Sequence, residues 1–227
     1  MLIENHMRIN LKISPTKELI YFNYQSKLTG AFHKWLGQNE QHGRTSLYSF
    51  SQLMGGKANN DGIMFEKGTS MFVTAHDPDI INKVIKGIQI DNYLFAGMKV
   101  EEIQILRPPN LIGQSNFYNG SPILIRKDIG NYFKFLYYND AEANDMLMEY
   151  IRIKMDIAGI RDNTLSIKFD KYYPKPRIKM ITYKEKKNKA SICPVIIKGK
   201  VRSKQFILDV GLGACTGIGF GATYLYL

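Results

Sequence analysis

The chain has 227 residues, of which 44% are hydrophobic, and its formal net charge is +11. Its apolar stretches are short and broken by charges, which excludes a transmembrane helix, and its start, MLIENHMRIN, has no apolar run of signal-peptide type. The two cysteines, Cys193 and Cys215, form no CxxC motif, so we expect a cytoplasmic protein without structural zinc or a disulfide framework.

The first half of the chain predicts the element order of a ferredoxin-like unit. A helix is predicted over 26–37 from an apolar stripe, and a second over 78–87, where Asp77 caps the start and Pro78 occupies the first turn. Alternation of apolar and polar residues predicts strands at 7–14, 46–53, 62–68, 69–77 and 97–106. The order strand, helix, strands, helix, strand is typical of that fold.

The second half predicts a related but altered unit. Residues 106–122 are rich in Pro, Gly, Asn and Ser and mark a domain junction, so the predicted domains are 7–108 and 117–227. A helix is predicted from Asn139-Asp140 to Gly159. Strands are predicted at 122–126, 164–170, 177–184 and 222–227, with a basic hairpin over 195–211 that turns near Gly199 to Ser203. No second helix is predicted here, and a glycine stretch takes its place. The fold class is therefore α+β, with tandem ferredoxin-like domains.

Positive charge is concentrated in one block of the chain. Residues 161–208 hold fourteen Lys or Arg against three Asp or Glu, whereas the rest of the chain holds seventeen of each sign. Basic groups beside aromatic faces suit phosphates and stacked bases, so the block indicates an RNA-binding surface. A solvated face with chance clustering has the same composition. The aromatic residues interleaved with the charge are Phe169, Tyr172, Tyr173, Tyr183 and Phe206.

The segment GLGACTGIGFG, residues 211–221, has five glycines among its eleven residues. Glycine permits positive φ and close approach of other backbone, and a run of N–H groups can form a nest for an anion. The segment lacks the GK[ST] of a Walker A loop and the βαβ unit of a dinucleotide fingerprint. On these residues alone, a tightly turned loop between the final strands is an equal alternative.

The spacing Gly211-Leu-Gly213, five residues, Gly219-Phe-Gly221 resembles the C-terminal glycine-rich signature of a known family, the CRISPR-associated repeat-processing endoribonucleases (Cas6 family, RAMP superfamily). Other stretches resemble the same family in the same order, and together they extend over residues 7–227. These stretches are YFNYQSKLTGAFHKWL, HGRTSLYSFSQL, SPILIRK and IIKGKVRSKQFILDVGLG.

The resemblance implies a protein that binds the repeat of a CRISPR transcript and cuts it once per repeat, with no metal ion or other cofactor. It implies that the 2′-hydroxyl attacks the adjacent phosphate and leaves a 2′,3′-cyclic phosphate and a 5′-hydroxyl. The implied partner is CRISPR repeat RNA, and a CRISPR effector complex is a second implied partner. No membrane partner is implied, and both a monomer and a homodimer are compatible with the sequence.

Such a cut needs a proton acceptor, a proton donor and groups that stabilise charge on the phosphorane. Histidine can serve as either acceptor or donor near neutral pH. His6 precedes the first strand and His76 adjoins a helix cap, which leaves His33 and His42 of the four histidines. Each of these two is also compatible with an ordinary exposed histidine. The resemblance assigns His42 the role of proton donor and His33 that of proton acceptor.

Charge stabilisation and RNA contacts are predicted at further positions. Some family members have a lysine where this chain has Ser46, so Arg44 and Lys57 are candidates by position. Ala214-Cys215-Thr216 stands where basic residues are common in the family, which shifts the expected phosphate contacts towards the basic hairpin. The predicted RNA-binding residues are Lys198, Lys200, Arg202, Lys204, Gly211, Gly213, Gly219 and Gly221.

Two other classes of protein are alternatives. The first is a non-catalytic RNA-binding subunit of a CRISPR effector complex, against which the pair His33 and His42 argues. The second is a nucleotidyl-transfer enzyme on a ferredoxin-like palm, which needs paired carboxylates for metal ions. No acidic pair stands on a convincing strand, and dependence on Mg²⁺ would favour that class.

Overall fold

The first half forms a ferredoxin-like domain, which confirms the predicted fold class. The computed structural model describes residues 7–37 and 45–225. Four antiparallel strands lie in the order β2-β5-β1-β6, and two helices pack on their sheet. The elements in chain order are β1 (Met7–Ile13), α1 (Gln25–Leu36), β2 (Tyr48–Phe50), β3 (Lys57–Ala58), β4 (Ile63–Met64), β5 (Thr69–Ala75), α2 (Pro78–Ile90) and β6 (Val100–Leu106).

Helix α2 begins where the sequence predicts, because the Asp77 carboxylate accepts a hydrogen bond from the Asp79 N–H at 3.0 Å and Pro78 is the first helical residue. The helix continues to Ile90, beyond the predicted end at 87. Gly87 is not a stop signal here. A Cβ at Gly87 would overlap the backbone of Trp35, so this glycine lets α1 and α2 approach closely.

The second half is a complete ferredoxin-like domain rather than an altered one. Its strands lie in the order β10-β13-β7-β14, and the hairpins β8–β9 and β11–β12 are inserted between the conserved positions of that topology. The elements are β7 (Asn116–Asn119), β8 (Ile125–Asp128), β9 (Phe133–Leu136), α3 (Ala143–Ile157), β10 (Ser166–Phe169), β11 (Arg177–Tyr183), β12 (Lys186–Ile192), β13 (Val195–Lys198), α4 (Val201–Val210), a 3₁₀ turn (Thr216–Ile218) and β14 (Thr223–Tyr224).

Helix α4 corrects the predicted basic hairpin over 195–211. Only β13 is a strand there, and the chain then turns at Gly199 into a helix. The Asp162 carboxylate fixes the first turn, since it accepts hydrogen bonds from the Lys200 N–H at 2.8 Å and the Ser203 hydroxyl at 2.7 Å. Residues 203–210 are all buried, polar Ser203, Lys204, Gln205 and Asp209 included, so α4 has no exposed face over most of its length.

The opening strand of the second half is also shifted. It is β7, which lies within the segment that the sequence assigns to the junction, and not the predicted strand over 122–126. Ile123 and Leu124 instead make single bridges, to Ser191 and to Ala214. Ile123 and Leu124 are both buried, and they connect the β11–β12 hairpin and the glycine stretch to β8 rather than lying in the main sheet.

The two halves have separate cores and pack closely against each other. The first core is formed by buried residues from Ile9 to Val100 along the chain, and the second by buried residues from Leu111 to Leu212. The domain limits 7–108 and 117–227 stay a proposal. At the interface the Thr74 hydroxyl lies 3.4 Å from the carboxylate of Asp209, which is buried at the end of α4. None of the helices in 7–37 and 45–225 has both the length and the apolar character needed to cross a membrane.

Candidate active site

One face of α1 is bound to the 3₁₀ turn of the second half. The His33 Nε2 lies 2.9 Å from the Gly217 carbonyl oxygen, and the Ile218 carbonyl accepts hydrogen bonds from Gln25 Nε2 at 2.8 Å and from the Thr29 hydroxyl at 3.1 Å. Gln25, Thr29 and His33 are spaced by four residues, so they share one helical face.

The Gly217 carbonyl sets the tautomer of His33. A carbonyl oxygen only accepts hydrogen bonds, so Nε2 must carry the proton that it donates to Gly217. In the neutral ring the lone pair is then on Nδ1. His33 is half-buried, and Phe32 beside it points into the core. The backbone of the second half therefore orients an imidazole of the first half.

Two hydroxyl groups lie beside Gly217. A Cβ at Gly217 would overlap the Ser46 Oγ and lie 3.0 Å from the Tyr48 hydroxyl oxygen. Burial raises the pKa of Tyr48, although a hydrogen bond with Ser46 opposes this effect. The resemblance places Ser46 where some family members have a lysine, and in this structure Ser46 contributes a hydroxyl beside Gly217. The sequence analysis named neither hydroxyl as a site group.

The glycine stretch is an internal packing element. Gly211, Gly213, Gly219 and Gly221 are buried, and a Cβ on any of them would meet backbone or a side chain. The N–H groups of Gly211, Gly219 and Gly221 donate to Ile207, Thr216 and Pro122. These three N–H groups are therefore paired within the protein, and RNA contact by the glycine positions stays a prediction. Gly219 lies against the Gln25 side chain, so the missing side chain at this position lets the first helix approach closely.

The predicted basic residues separate into two groups. Lys198, Lys200 and Arg202 are exposed near the start of α4. Lys204 is buried, and its ammonium group donates to the Leu111 carbonyl at 3.1 Å and to the Gln114 carbonyl at 2.6 Å. Lys204 therefore connects α4 to the segment between the halves and does not present its charge to RNA.

The basic hairpin of the structure is β11–β12. The sequence predicts one strand there, over 177–184, within the basic block. Its outer end lies on α1, because the Lys184 N–H donates to the Ser26 hydroxyl at 3.0 Å. Lys179 Nζ donates to Gln52 at 3.0 Å, and Gln52 donates to Gln25 at 3.1 Å. The hairpin thus borders the His33 site. Its basic residues are Arg177, Lys179, Lys184, Lys186, Lys187 and Lys189.

A cavity of about 550 Å³ lies on the other side of Ser46, against α3 and the β8–β9 hairpin. Lys154, at its base, is 3% exposed and donates to the Val210 carbonyl at 2.7 Å and the Thr216 hydroxyl at 2.9 Å. Burial lowers the pKa of Lys154 to about 7. Lys154 lies on the buried face of α3 with Leu147 and Ile151, and a lysine at helical spacing among apolar residues is a signal that the sequence contains.

The remaining predicted residues lie elsewhere. His42 and Arg44 fall outside the described residues, so their roles stay predictions. Lys57 lies on β3, where its ammonium group pairs with Glu66 at 2.9 Å and both side chains are largely exposed. Among the residues that the structure describes, no three His, Cys, Asp or Glu side chains are grouped as a metal site would require.

Comparison with known proteins gives a family match and a set of similar folds. The family model described as "CRISPR associated protein Cas6, C-terminal" matches residues 107–225. Comparison with curated proteins finds no significant match. A structure described as "Characterization of a Cas6-related gene from Pyrococcus furiosus" has a TM-score of 0.84 at 21% identity and covers 98% of this chain and 99% of that chain.

Two further solved structures are similar over their whole length. One is described as "CRISPR associated protein Cas6", with a TM-score of 0.83 at 18% identity. The other is described as "An RAMP protein binding different RNA substrates", with a TM-score of 0.81 at 21% identity. Each match covers 98% of this chain and 100% of the other. At these identities the likeness shows a shared tandem ferredoxin-like fold.

Proposed function

Since the chain belongs to the Cas6 family of CRISPR-associated proteins, we propose that it is a metal-independent endoribonuclease that binds CRISPR repeat RNA and cleaves precursor transcripts into guide RNAs. The observation that carries this proposal is the hydrogen bond from the His33 imidazole to the Gly217 carbonyl, which orients a proton-transfer group where the two halves meet. The similar RAMP structure described as binding RNA supports RNA as the ligand.

The reaction uses the 2′-hydroxyl of the nucleotide before the cut as the nucleophile. His33 accepts its proton on Nδ1, the nitrogen that carries the lone pair while Nε2 donates to Gly217. The 2′-oxygen then bonds to phosphorus, and the bond to the 5′-oxygen breaks. His42 donates a proton to that leaving oxygen. The products are a 2′,3′-cyclic phosphate and a 5′-hydroxyl.

Negative charge on the phosphorane needs nearby donors. The hydroxyls of Ser46 and Tyr48 lie against Gly217, whose carbonyl orients His33, and they are assigned this role in the proposal. Arg44 adds a cation in this proposal. Lys57 is a weaker candidate, because its ammonium group is paired with Glu66. The β11–β12 hairpin supplies cations that hold the RNA backbone beside α1.

The test is cleavage of the host's CRISPR repeat RNA in excess EDTA, with mapping of the product ends. The matched pair of variants is His33→Gln and His33→Ala, because a glutamine amide can still donate to Gly217 but cannot accept the proton. We expect both variants to cleave about 10²- to 10⁴-fold more slowly. Their binding of an RNA without the attacking 2′-hydroxyl should stay within about threefold of wild type.

Three outcomes would contradict the proposal. If the wild-type protein binds repeat RNA tightly but does not cut it, the result favours a non-catalytic RNA-binding subunit of a CRISPR effector complex. A cut that requires Mg²⁺ would favour the nucleotidyl-transfer class. Full activity of His33→Gln would remove His33 from proton transfer and leave it a packing role.

A further inference from the structure

The cavity beside Ser46 has the chemistry of a nucleobase pocket. Its wall at the β8–β9 hairpin is formed by Phe133, whose ring lies 4.5 Å from the guanidinium carbon of Arg126. Met146 and Ile153 of α3 supply an apolar wall. A volume of about 550 Å³ lies within the range of small-molecule sites. A planar base can stack on the paired ring and guanidinium.

The charges around the cavity favour a base over a phosphate. Asp128 and Glu149 line it and are both exposed, and their carboxylates offset the cationic groups of Arg126 and Lys154 in the same lining, so the cavity has no excess of positive charge that would select a phosphate. The same carboxylates accept hydrogen bonds from exocyclic amino groups, which adenine, cytosine and guanine carry and uracil lacks. The Tyr150 hydroxyl donates a hydrogen bond to the Arg126 carbonyl at 2.6 Å. This bond connects α3 to β8 at the wall of the cavity.

The cavity adjoins the candidate active site through the 3₁₀ turn. Ser46 and Thr216 line the cavity, and they also flank Gly217, whose carbonyl orients His33. A nucleotide whose phosphate lies at His33 can therefore place a neighbouring base in the cavity. We propose that this cavity binds one amino-bearing base within two nucleotides of the cut, by stacking on Phe133 and Arg126. The inference rests on the proposed function, because it assumes that RNA passes His33.

The first test removes the stack. Phe133→Ala is compared with Tyr132→Ala, because the two aromatic residues are neighbours, both are exposed, and only Phe133 lines the cavity. With a repeat RNA that lacks the attacking 2′-hydroxyl, Phe133→Ala should weaken binding roughly 5- to 150-fold. Tyr132→Ala should change it less than about threefold. Equal effects of the two substitutions would overturn the proposal.

The second test locates the base. A set of repeat RNAs is made with an abasic nucleotide at one position at a time. One position within two nucleotides of the cut should weaken binding to the wild-type protein, and the same RNA should bind Phe133→Ala no more weakly than the intact RNA does. Replacing that base by uracil should also weaken binding, and Glu149→Gln should reduce the discrimination. If abasic substitution weakens binding only at nucleotides further than two from the cut, the proposal is overturned.

The third test uses a thiol as a reporter. Burial raises the pKa of both thiols, that of Cys193 to about 11. Cys215 is half-buried at the cavity whereas Cys193 is completely buried, so N-ethylmaleimide should label Cys215 selectively. Repeat RNA should slow this labelling at least about tenfold, and RNA abasic at the sensitive position should not. RNA that binds and is cut while Cys215 stays fully reactive would refute the subsite alone. Failure of the wild-type protein to bind RNA would refute the proposed function, and the subsite with it.

Discussion

The packing role of the glycine stretch predicts that Gly221→Ala is strongly destabilising. Gly221 has φ +67°, and a Cβ there would overlap the carbonyl oxygen of Leu212. Its N–H donates to the Pro122 carbonyl at 2.9 Å, and its carbonyl accepts from the Leu212 N–H at 2.8 Å. The added methyl group must push Leu212 away, and both hydrogen bonds then lengthen or break.

Gly159→Ala is the matched control. Gly159 has φ +66°, nearly the same as Gly221, but a Cβ there would meet no heavy atom within 4 Å. Its cost is the left-handed conformation alone, about 1–2 kcal/mol. Gly221→Ala has the same conformational cost and also disturbs two buried hydrogen bonds, each worth about 1–3 kcal/mol when a buried group is left unpaired. The expected total for Gly221→Ala is therefore about 3–8 kcal/mol.

The assay is urea unfolding followed by circular dichroism and by the fluorescence of Trp35, the single tryptophan, which is 2% exposed. A loss of about 3–8 kcal/mol is comparable with the whole stability of many domains. A Gly221→Ala variant that is already unfolded without urea would therefore agree with the prediction. A loss within about 1 kcal/mol of that of Gly159→Ala would refute the packing argument. A stable Gly221→Ala that no longer binds RNA would restore the RNA-contact role of the glycine.

Three further predictions concern buried and surface charge. Because burial lowers the pKa of Lys154 in the folded protein to about 7, the unfolded chain binds more protons than the folded one above that pH. The free energy of unfolding, measured by urea titration, should therefore rise by on the order of 3 kcal/mol between about pH 7 and about pH 9.5, and Lys154→Met should abolish this rise. Burial raises the pKa of Asp162, but its hydrogen bonds together hold it well below the usual range, so Asp162→Asn should lower the melting temperature at neutral pH and its difference from wild type should shrink as the pH falls below about 4. Lys187→Ala on the β11–β12 hairpin should reduce the salt dependence of RNA binding by about 0.7 in log–log slope, measured by fluorescence anisotropy, whereas Lys83→Ala on α2 should leave it unchanged.

The first half could be predicted from the sequence because its signals are local. The cap at Asp77, the apolar stripe of α1 and the alternation in β1 each act within a few residues, and the structure retains them. The resemblance of the glycine spacing then identified the family, which the match over 107–225 confirms.

The second half was harder because tertiary contacts decide its local structure. In α4 the buried run Phe206-Ile207-Leu208 has strand-like composition, and its helical form depends on burial from all sides and on Asp162, far away in the chain. Lys204 looks like a surface cation until the carbonyls of Leu111 and Gln114 surround it. No local pattern encodes such partners.

The candidate site shows the same division. His33 could be selected as a proton-transfer group from its residue type and the resemblance. Its partner, the Gly217 carbonyl, is 184 residues further along the chain, and a backbone carbonyl leaves no trace in the residue type. The cavity likewise became visible only when the β8–β9 hairpin and α3 were placed beside Ser46.

The separation of His33 from Gly217 has a consequence for synthesis of the protein. After a ribosome incorporates His33 it must add 184 more residues before the carbonyl that orients the imidazole exists. At about 5–20 residues per second this takes roughly 10–40 s. During that interval the nascent first half can fold on the ribosome without an oriented His33. A chain built this way has an oriented His33 only after its second half has emerged, so the proposed proton transfer must wait for that half.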